Sequence, residues 1–341
     1  LQGTGLVDQM ESAGSLRRLE ETIGDIDILV VSISPSDVVA AFVALPGVTA
    51  VLGAGSTKAS VVVDDTMQVD LRVVDQESFG AALLYFTGSK AHNIELRQMA
   101  LDRGWTLNEY SLSAVDTNET IAAETESQIY EALGLPWITP EVREGTGEIG
   151  AAANGLLPDP IAVDDIRGDL HVHTTWSGDG RSSMTEMLDT VAARGLEYVS
   201  LTDHAENLTI NGLSREQVLE ERTEIERQRD RLPNLTILHG AELNIGPDGG
   251  LDYDPEFLEG FDFGVASIHS HFDLTRDEQT DRLLAAIANP AVNVNGHPSG
   301  RKIGRRPGVV FDSDAVFVAA AETGTAIEIN SHLQRLDLAA P

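Results

Sequence analysis

The chain contains no cysteine. Disulfides, thiolate ligands and cysteine nucleophiles are thereby excluded, so any bound metal must rest on histidine, aspartate or glutamate. Lysine is almost absent. Lys58, Lys90 and Lys302 are the three lysines among 23 basic residues, set against 55 acidic ones for a formal net charge of −32. That balance argues against a general affinity for nucleic acid, which rests on lysine and arginine meeting phosphates. It suits a protein working in concentrated salt, where a Debye length of ~3 Å at 1 M screens self-repulsion, and a halophilic source is the expectation. Long apolar runs are missing as well. None approaches the ~20 residues of a membrane span, and the N-terminus carries no charged-then-apolar signal pattern. The sequence therefore reads as cytoplasmic, with no membrane partner.

What is present is 341 residues, 42% of them hydrophobic, which allows two or three domains with ample core. Residues 14–75 read as strands with hairpins at 25–33, 48–53, 59–63 and 68–74, and a helix near 36–44. Residues 78–103 read as helix broken at 87–89, and 119–133 as a further helix ending at Gly134. A stretch rich in Gly, Ala, Asn, Asp and Pro over 145–168 reads as a linker. Beyond it a strand-then-helix rhythm sets in. Strands are predicted near 169–173, 198–203, 236–242, 263–269, 291–296 and 326–330, with helices near 184–194, 215–230, 276–288 and 313–323. Alternation of this kind implies parallel strands and a barrel, with chemistry at the strands' C-terminal ends.

Two constellations carry chemistry. In the first, Asp25 and Asp27 stand two apart in DIDILVV and so share a strand face. Asp70, in QVDLRVV, can join them from a neighbouring strand. Convergent carboxylates repel unless a cation lies between them, and Mg²⁺ favours oxygen ligands of this kind. Gly14-Ser15-Leu16-Arg17-Arg18 and Gly24 add a small-residue turn with cations, as triphosphate binding requires. An isolated Asp-x-Asp pair would usually be no more than a solvated edge.

The series GSLRR, GDIDILV, QVDLRVV and YFTGSKAHNIELR resembles the palm and thumb of family X DNA polymerases. The resemblance implies an α+β, nucleotidyltransferase-like palm over 1–76 and a thumb over 77–144. It implies Asp25, Asp27 and Asp70 as catalytic residues holding Mg²⁺ or Mn²⁺, with Asp70 helping to deprotonate a primer hydroxyl. Ser15, Arg18 and Gly24 would meet the incoming triphosphate, and Tyr85, Phe86 and Gly88 would line the sugar pocket. Asn93 would join the nucleotide-binding set at the minor groove, and Arg97 would reach the DNA. His92 falls in the same stretch as a DNA-side or packing residue. Gln68 stands where animal members carry arginine. Asp64-Asp65 reads as a solvated hairpin turn.

In the second constellation, imidazoles and carboxylates recur at the ends of the later strands: HVHTTWSGDG at 171–180, TDH at 202–204, GAEL at 240–243, SIHSH at 267–271 and NGHP at 295–298. Core histidines would explain one or two of these, whereas an ordered series fits a multi-metal hydrolytic site. Mixed imidazole and carboxylate ligation suits Mn²⁺, Zn²⁺ or Fe²⁺. The set resembles the PHP (polymerase and histidinol phosphatase) domain that bacterial and archaeal family X polymerases carry after the thumb.

The PHP resemblance implies a distorted (β/α)7 barrel over 164–341, after a linker at 145–163. His171, His173, Glu242, His269 and His297 would be ligands, with His204 a further one and Asp203 beside it. Asp179 would be the acidic ligand of the WSGDG stretch, which carries an extra glycine. Arg301 becomes a phosphate-binding candidate and Glu328 a hydrogen-bond partner of a ligand. His239, His271 and His332 read as structural. An Asp-x-His at the family's last ligand positions would fall beyond Pro341, and little stands before Ser12 where the family has a DNA-gripping region, so the chain reads as a fragment.

Together these features predict a monomeric repair polymerase that fills short gaps in primed or gapped DNA from dNTPs, with a 3′-5′ exonuclease or 3′-end-processing barrel holding Mn²⁺ or Zn²⁺. Two rivals stand beside this reading. The barrel could be a phosphoesterase for small phosphate esters beside a nucleotidyltransferase-like domain of other specificity, or it could be a non-catalytic brace.

Overall fold

A computed structural model describes residues 1–338. The chain forms two compact units that divide between Pro160 and Ile161. The first begins with β1 (Gln9–Ser12), a short helix α1 (Gly14–Arg17), β2 (Asp25–Val31), α2 (Pro35–Val43), β3 (Val48–Ala54), β4 (Lys58–Val63) and β5 (Met67–Val74). These strands make one sheet in the order β1-β2-β5-β4-β3, with β2 and β5 parallel and the other pairs antiparallel. Pro35 opens α2 with its φ already helical. Val38 and Phe42 of that helix pack with Val30, Val61 and Leu71 of the sheet. In β2 the apolar end, Leu29–Val31, is buried and the acidic end is half-buried, so the hydrophobic anchor sets where Asp25 and Asp27 emerge. Asp64 and Asp65 turn the β4–β5 hairpin with positive φ at both positions (50° and 57°), the geometry that matches strand twist.

The chain continues through α3 (Phe79–Thr87), α4 (Lys90–Asp102), β6 (Trp105–Leu107), β7 (Leu112–Ala114), β8 (Thr120–Ala122), α5 (Glu126–Ala132) and α6 (Glu148–Ala153). Gly88, at φ +71°, separates α3 from α4. His92 is therefore on a helix, in its first turn. The helix predicted over 119–133 begins only at Glu126. Thr125 and Gln128 form a capping box there, and residues 120–122 pair instead with β7 in a small antiparallel sheet. Local capping chemistry overrode the longer periodicity. The linker predicted over 145–163 is corrected too: 148–153 is α6, whose Ile149 and Ala152 are buried with Leu84, Leu96, Leu112 and Ile129. Its Ala-rich composition made a helix rather than a spacer.

The second unit alternates β9 (Gly168–Val172), α7 (Met184–Ala193), β10 (Tyr198–Leu201), α8 (Arg215–Arg231), β11 (Thr236–Asn244), α9 (Pro255–Leu258), β12 (Phe263–Ser267), α10 (Arg276–Ile287), β13 (Val294–Gly296), α11 (Ser313–Thr323) and β14 (Ala326–Ile327). Its strands pair in parallel in the order β14-β13-β12-β11-β10-β9, the open barrel wall that the rhythm predicted. Capping boxes at Ser183/Glu186, Ser214/Gln217 and Thr275/Glu278 start α7, α8 and α10 soon after the strand ends. Because every strand runs the same way, all these strand-to-helix loops gather on one rim.

Candidate active sites and metal centre

In the first unit, Asp25, Asp27 and Asp70 come to one end of the β2–β5 pair. Asp27 stands opposite Asp70 in register, and Asp25 opposite Gln68. All three are half-buried. Burial raises the Asp27 pKa, as do the charges of Asp25 and Asp70, against the opposing pull of Arg72. Ser60 donates to Asp70 Oδ1, and Gln68 Nε2 donates to Asp70 Oδ2 at 3.1 Å. Gly14 is required by close approach, since a Cβ there would meet Asp27 Oδ2 at 2.2 Å and its φ is +61°.

Ser15 is half-buried on α1, and Gly24 is exposed just before β2. Arg18 is engaged within the unit: Nε donates to Glu144 at 2.6 Å, Nη1 to the Thr87 carbonyl at 2.6 Å and Nη2 to Glu20 at 3.3 Å. That places it against Gly88, whose Cβ would lie 3.3 Å from Arg18 Nη1. Tyr85 and Phe86 meet edge to face at 5.1 Å. The Arg72 guanidinium stacks 4.3 Å over Phe86. Asn93 Nδ2 donates to the Tyr85 carbonyl at 2.8 Å, and Tyr85, Asn93 and Arg97 line one small hollow. His92 is fully buried, with Nδ1 2.7 Å from Glu148 and Nε2 2.8 Å from the Tyr130 hydroxyl, so it packs inside the unit and does not face outward.

Sequence reasoning missed Arg143 and Glu126, and it read Arg17 as a cation of the triphosphate turn, whereas Arg17 pairs with Glu126. Glu126 takes paired hydrogen bonds from both guanidiniums, at 2.8 Å from Arg17 and at 2.6 and 3.2 Å from Arg143, and a third partner in Trp137 Nε1 at 3.2 Å. Burial opposes ionisation, but the two guanidiniums overcome it and hold the Glu126 carboxyl at about 2. This network ties α1 to α5. Its only signal in the sequence was a lone Glu after a Thr cap.

In the second unit, Glu242 is the hub. It is 1% exposed and surrounded by five imidazoles. Oε1 lies 2.9 Å from His297 Nε2, 3.2 Å from His269 Nε2 and 3.3 Å from His171 Nε2. Oε2 lies 3.0 Å from His204 Nδ1 and 3.2 Å from His173 Nε2. His204 turns its Nε2 to Asp179 Oδ2 at 3.0 Å. Three trios gather their ligand atoms within 4.8 Å: His171, His173 and Glu242; His173, Asp179 and His204; His204, Glu242 and His269. Asp25, Asp27 and Asp70 do not form so close a trio.

Neighbouring side chains orient the rings. His171 Nδ1 lies 2.7 Å from Glu328 Oε1, and Glu328 Oε2 accepts from the His297 amide at 2.5 Å. His269 Nδ1 lies 2.7 Å from Asn244 Oδ1, and Asn244 Nδ2 donates in turn to Asp252 at 3.0 Å. Asn244 and Asp252 escaped the sequence reading, although Asn244 stands two residues after Glu242 on the same strand face. Asp203 accepts from Thr174 and Ser177 at 2.5–3.2 Å, pinning the loop that carries Asp179. The extra glycine of WSGDG sits exposed at Gly178 and leaves Asp179 in reach of His204.

The electrostatics favour positive charge at the hub. Burial alone would depress His171, yet Glu242 and Glu328 hold it up at about 10. Burial opposes ionisation of Glu242, but His171 and His269 hold it well below the carboxylate range. His204 Nδ1, His269 Nε2 and Glu242 Oε1 are nonetheless buried without a hydrogen bond of good geometry, as are His173 Nδ1 and His297 Nδ1. Converging nitrogen and oxygen atoms that lack partners are a donor set that fits transition-metal ions.

The other histidines lie apart. His239 is buried between β11 and α8, 3.6 Å from Glu221, and burial and Arg222 hold it down at about 4. The strand predicted to 269 ends at Ser267, and His271 follows at φ +54°, exposed, so it does not share a strand face with His269. His332 is exposed at the cavity's edge. Arg301 is not open to a phosphate in the way expected: its guanidinium donates to the carbonyls of Arg335 (2.6 Å) and Leu336, bracing the following turn.

Two protein-family models match the chain. The DNA polymerase beta thumb family matches residues 82–144, and the PHP domain family matches 169–332. The DNA polymerase/3′-5′ exonuclease PolX of Bacillus subtilis is 40% identical over 329 residues, 96% of this chain and 57% of that protein. Two proteins named probable phosphatase match about half of the chain. That of Syntrophotalea carbinolica is 33% identical over 166 residues and that of Acetivibrio thermocellus 32% over 167, each covering 48% of this chain and 65% of the relative. The chain thus spans roughly three fifths of the curated relatives' own lengths. Among the described residues, no helix is long and apolar enough to cross a membrane. The chain thus carries a DNA polymerase beta thumb followed by a PHP domain, and almost end to end it is similar to a DNA polymerase/3′-5′ exonuclease.

Proposed function

We propose that the first unit transfers nucleotides from dNTPs to a DNA primer in short-gap repair, and that the second removes 3′-terminal nucleotides. One observation carries the polymerase reading: Asp27 and Asp70 face each other in register across parallel strands, with Asp25 two residues along the same face. Asp25 and Asp27 would hold the cation that accompanies the triphosphate. Asp70, oriented by Ser60 and Gln68, accepts the proton of the primer 3′-hydroxyl. Arg18 and Ser15 meet the triphosphate, which requires Arg18 to exchange Glu144 and Glu20 for phosphate oxygens. Phe86, fixed by Arg72, and Tyr85 shape the sugar pocket, and Arg97 meets the DNA.

In the barrel, His171, His173, Glu242, His269 and His297, with His204 and Asp179, would hold Mn²⁺ or Zn²⁺. Bound divalent ions supply charge neutralisation at the first site, with Mg²⁺ or Mn²⁺, and Lewis acidity and a water of lowered pKa at the second. Glu328 and Asn244 keep the rings in the tautomer that turns Nε2 inward. The protein acts as a cytoplasmic monomer adapted to high salt, consistent with its charge of −32.

One labelled primer–template tests both activities. Asp70→Ala should lose extension and keep 3′ shortening, and His173→Ala should do the reverse. Failure of the unaltered chain to extend a primer in dilute or concentrated KCl would refute the polymerase reading. The matches to probable phosphatases over about half of the chain favour a second reading, hydrolysis of small phosphate monoesters. Release of p-nitrophenol from p-nitrophenyl phosphate faster than shortening of an oligonucleotide would decide for it.

A further inference from the structure

The cavity above Glu242 has a volume of about 750 Å³, within the range of sites that enclose a whole ligand and more than a lone phosphate needs. Its lining includes the imidazole and carboxylate cluster together with Arg181, Lys302 and Arg335. In a chain with 23 basic residues, four of them fall in the six positions 301–306; of these Lys302 lines the cavity, as does Arg335.

Two of the four are engaged within the fold. Arg301 braces the 335–336 carbonyls, and Arg306 donates to the Gly300 carbonyl while stacking 3.6 Å over Phe272. Lys302 and Arg335 make no ion pair among the described residues, and Arg335 Nη1 is buried without a hydrogen-bond partner. Burial holds Lys302 below the ordinary lysine value, as do the charges of Arg335, Arg306 and Arg305. Crowding like charges in a half-buried wall costs free energy unless an anion completes it.

We propose that Lys302 and Arg335, together with Arg181 of the same cavity, grip a second phosphate of a single-stranded nucleic acid while the metal cluster holds the scissile one. The barrel would then select a chain of phosphodiesters over an ester with one phosphate. This inference rests on the phosphoesterase reading of the barrel and deepens it by assigning the residues that hold a second phosphate of the substrate.

Binding tests it independently of catalysis. Anisotropy of a 5′-fluorescein-labelled thymidine hexanucleotide is followed with the full chain in EDTA over a KCl series. Lys302→Gln and Arg335→Gln should each weaken binding about tenfold, the scale of one charged hydrogen bond. Each should also reduce the slope of log affinity against log salt by about 0.7. Arg335→Lys should restore most of the affinity.

With Mn²⁺ present, the same variants should lower kcat/KM for the hexanucleotide about tenfold relative to kcat/KM for the p-nitrophenyl ester of thymidine 5′-monophosphate. If Arg335→Gln does not fold, Lys302→Gln and Arg181→Gln carry the test. Folded variants that change neither affinity nor this ratio by more than about twofold overturn the proposal. Charge-dependent binding with no hydrolysis of either substrate by the unaltered chain upholds the clamp and refutes the phosphoesterase reading.

Discussion

Glu328 Oε1 lies 2.7 Å from His171 Nδ1, and the other oxygen of Glu328 takes the His297 amide at 2.5 Å. One carboxylate just beyond the last strand of the wall thus sets a ring on the first strand and the backbone just after β13. Partners of this kind fix tautomer and orientation, and their loss typically costs 10–100-fold in metal affinity. Glu328→Ala should therefore weaken Mn²⁺ binding by about 10–100-fold in a calorimetric titration, and Glu328→Gln should cost less, because its amide oxygen still accepts from Nδ1. Unaltered affinity in Glu328→Ala would mean that His171 is oriented by something else.

Gly180 presents a second sharp constraint. A Cβ at this position would lie 1.8 Å from the Thr174 carbonyl oxygen, and backbone on both sides leaves little room to yield. The loop between them carries Asp179 and is pinned by Asp203 through Thr174 and Ser177. Gly180→Ala should force the loop outward, costing about 1–3 kcal/mol of stability in the barrel. It should also detach Asp179 from His204. Urea melts and Mn²⁺ stoichiometry check this; a variant as stable as the parent with full metal content would count against it.

The sequence made the order of the two sites legible because each rests on strand-end residues with a period of two, and periodicity survives without knowledge of partners. The barrel strands were legible for the same reason, since long helices with capping boxes separate them. Pairings across large sequence distance were not. Nothing local told that Glu126 would collect Arg17 and Arg143, or that Arg301 would turn to the 335–336 carbonyls and leave Lys302 and Arg335 at the cavity. Short strands such as 120–122 were lost because three residues carry too little pattern against a nearby helix signal. The strand predicted over 263–269 was read two residues too long because it stops at Ser267, where the alternation also stops.

Glu126 makes the stability of the first unit depend on acid. Its carboxyl is held at about 2, below the ordinary 4.5, so on acidification the unfolded chain takes up the proton first. The stabilisation is complete above about pH 4.5 and is lost as pH falls towards 2, amounting to on the order of 3 kcal/mol. Glu126→Gln should lower stability at pH 7 by about 3–5 kcal/mol, because Arg143, fully buried, loses its counter-charge. It should also flatten the decline of stability between pH 4.5 and 2. Urea unfolding of both proteins at pH 7 and 3.5 measures the two effects, and parallel declines would exclude Glu126 as their source.

The surface charge pulls the opposite way with pH, and this separates the two contributions. At pH 7 a net charge of −32 repels itself within each unit, and salt relieves that repulsion as the Debye length shrinks from ~10 Å at 0.1 M to ~3 Å at 1 M. The Tm should therefore rise with KCl at pH 7 and level off above about 1 M, once the screening length is shorter than the spacing of surface charges. At pH 3.5 many exposed carboxylates are neutral, so the gain from salt should shrink. The Glu126 cluster is buried and little screened at either pH, so Glu126→Gln should show the same salt increment as the parent. A Tm indifferent to KCl at pH 7 would remove the case for a salt-adapted surface, and an increment that vanished with Glu126 would assign the salt effect to that buried cluster instead.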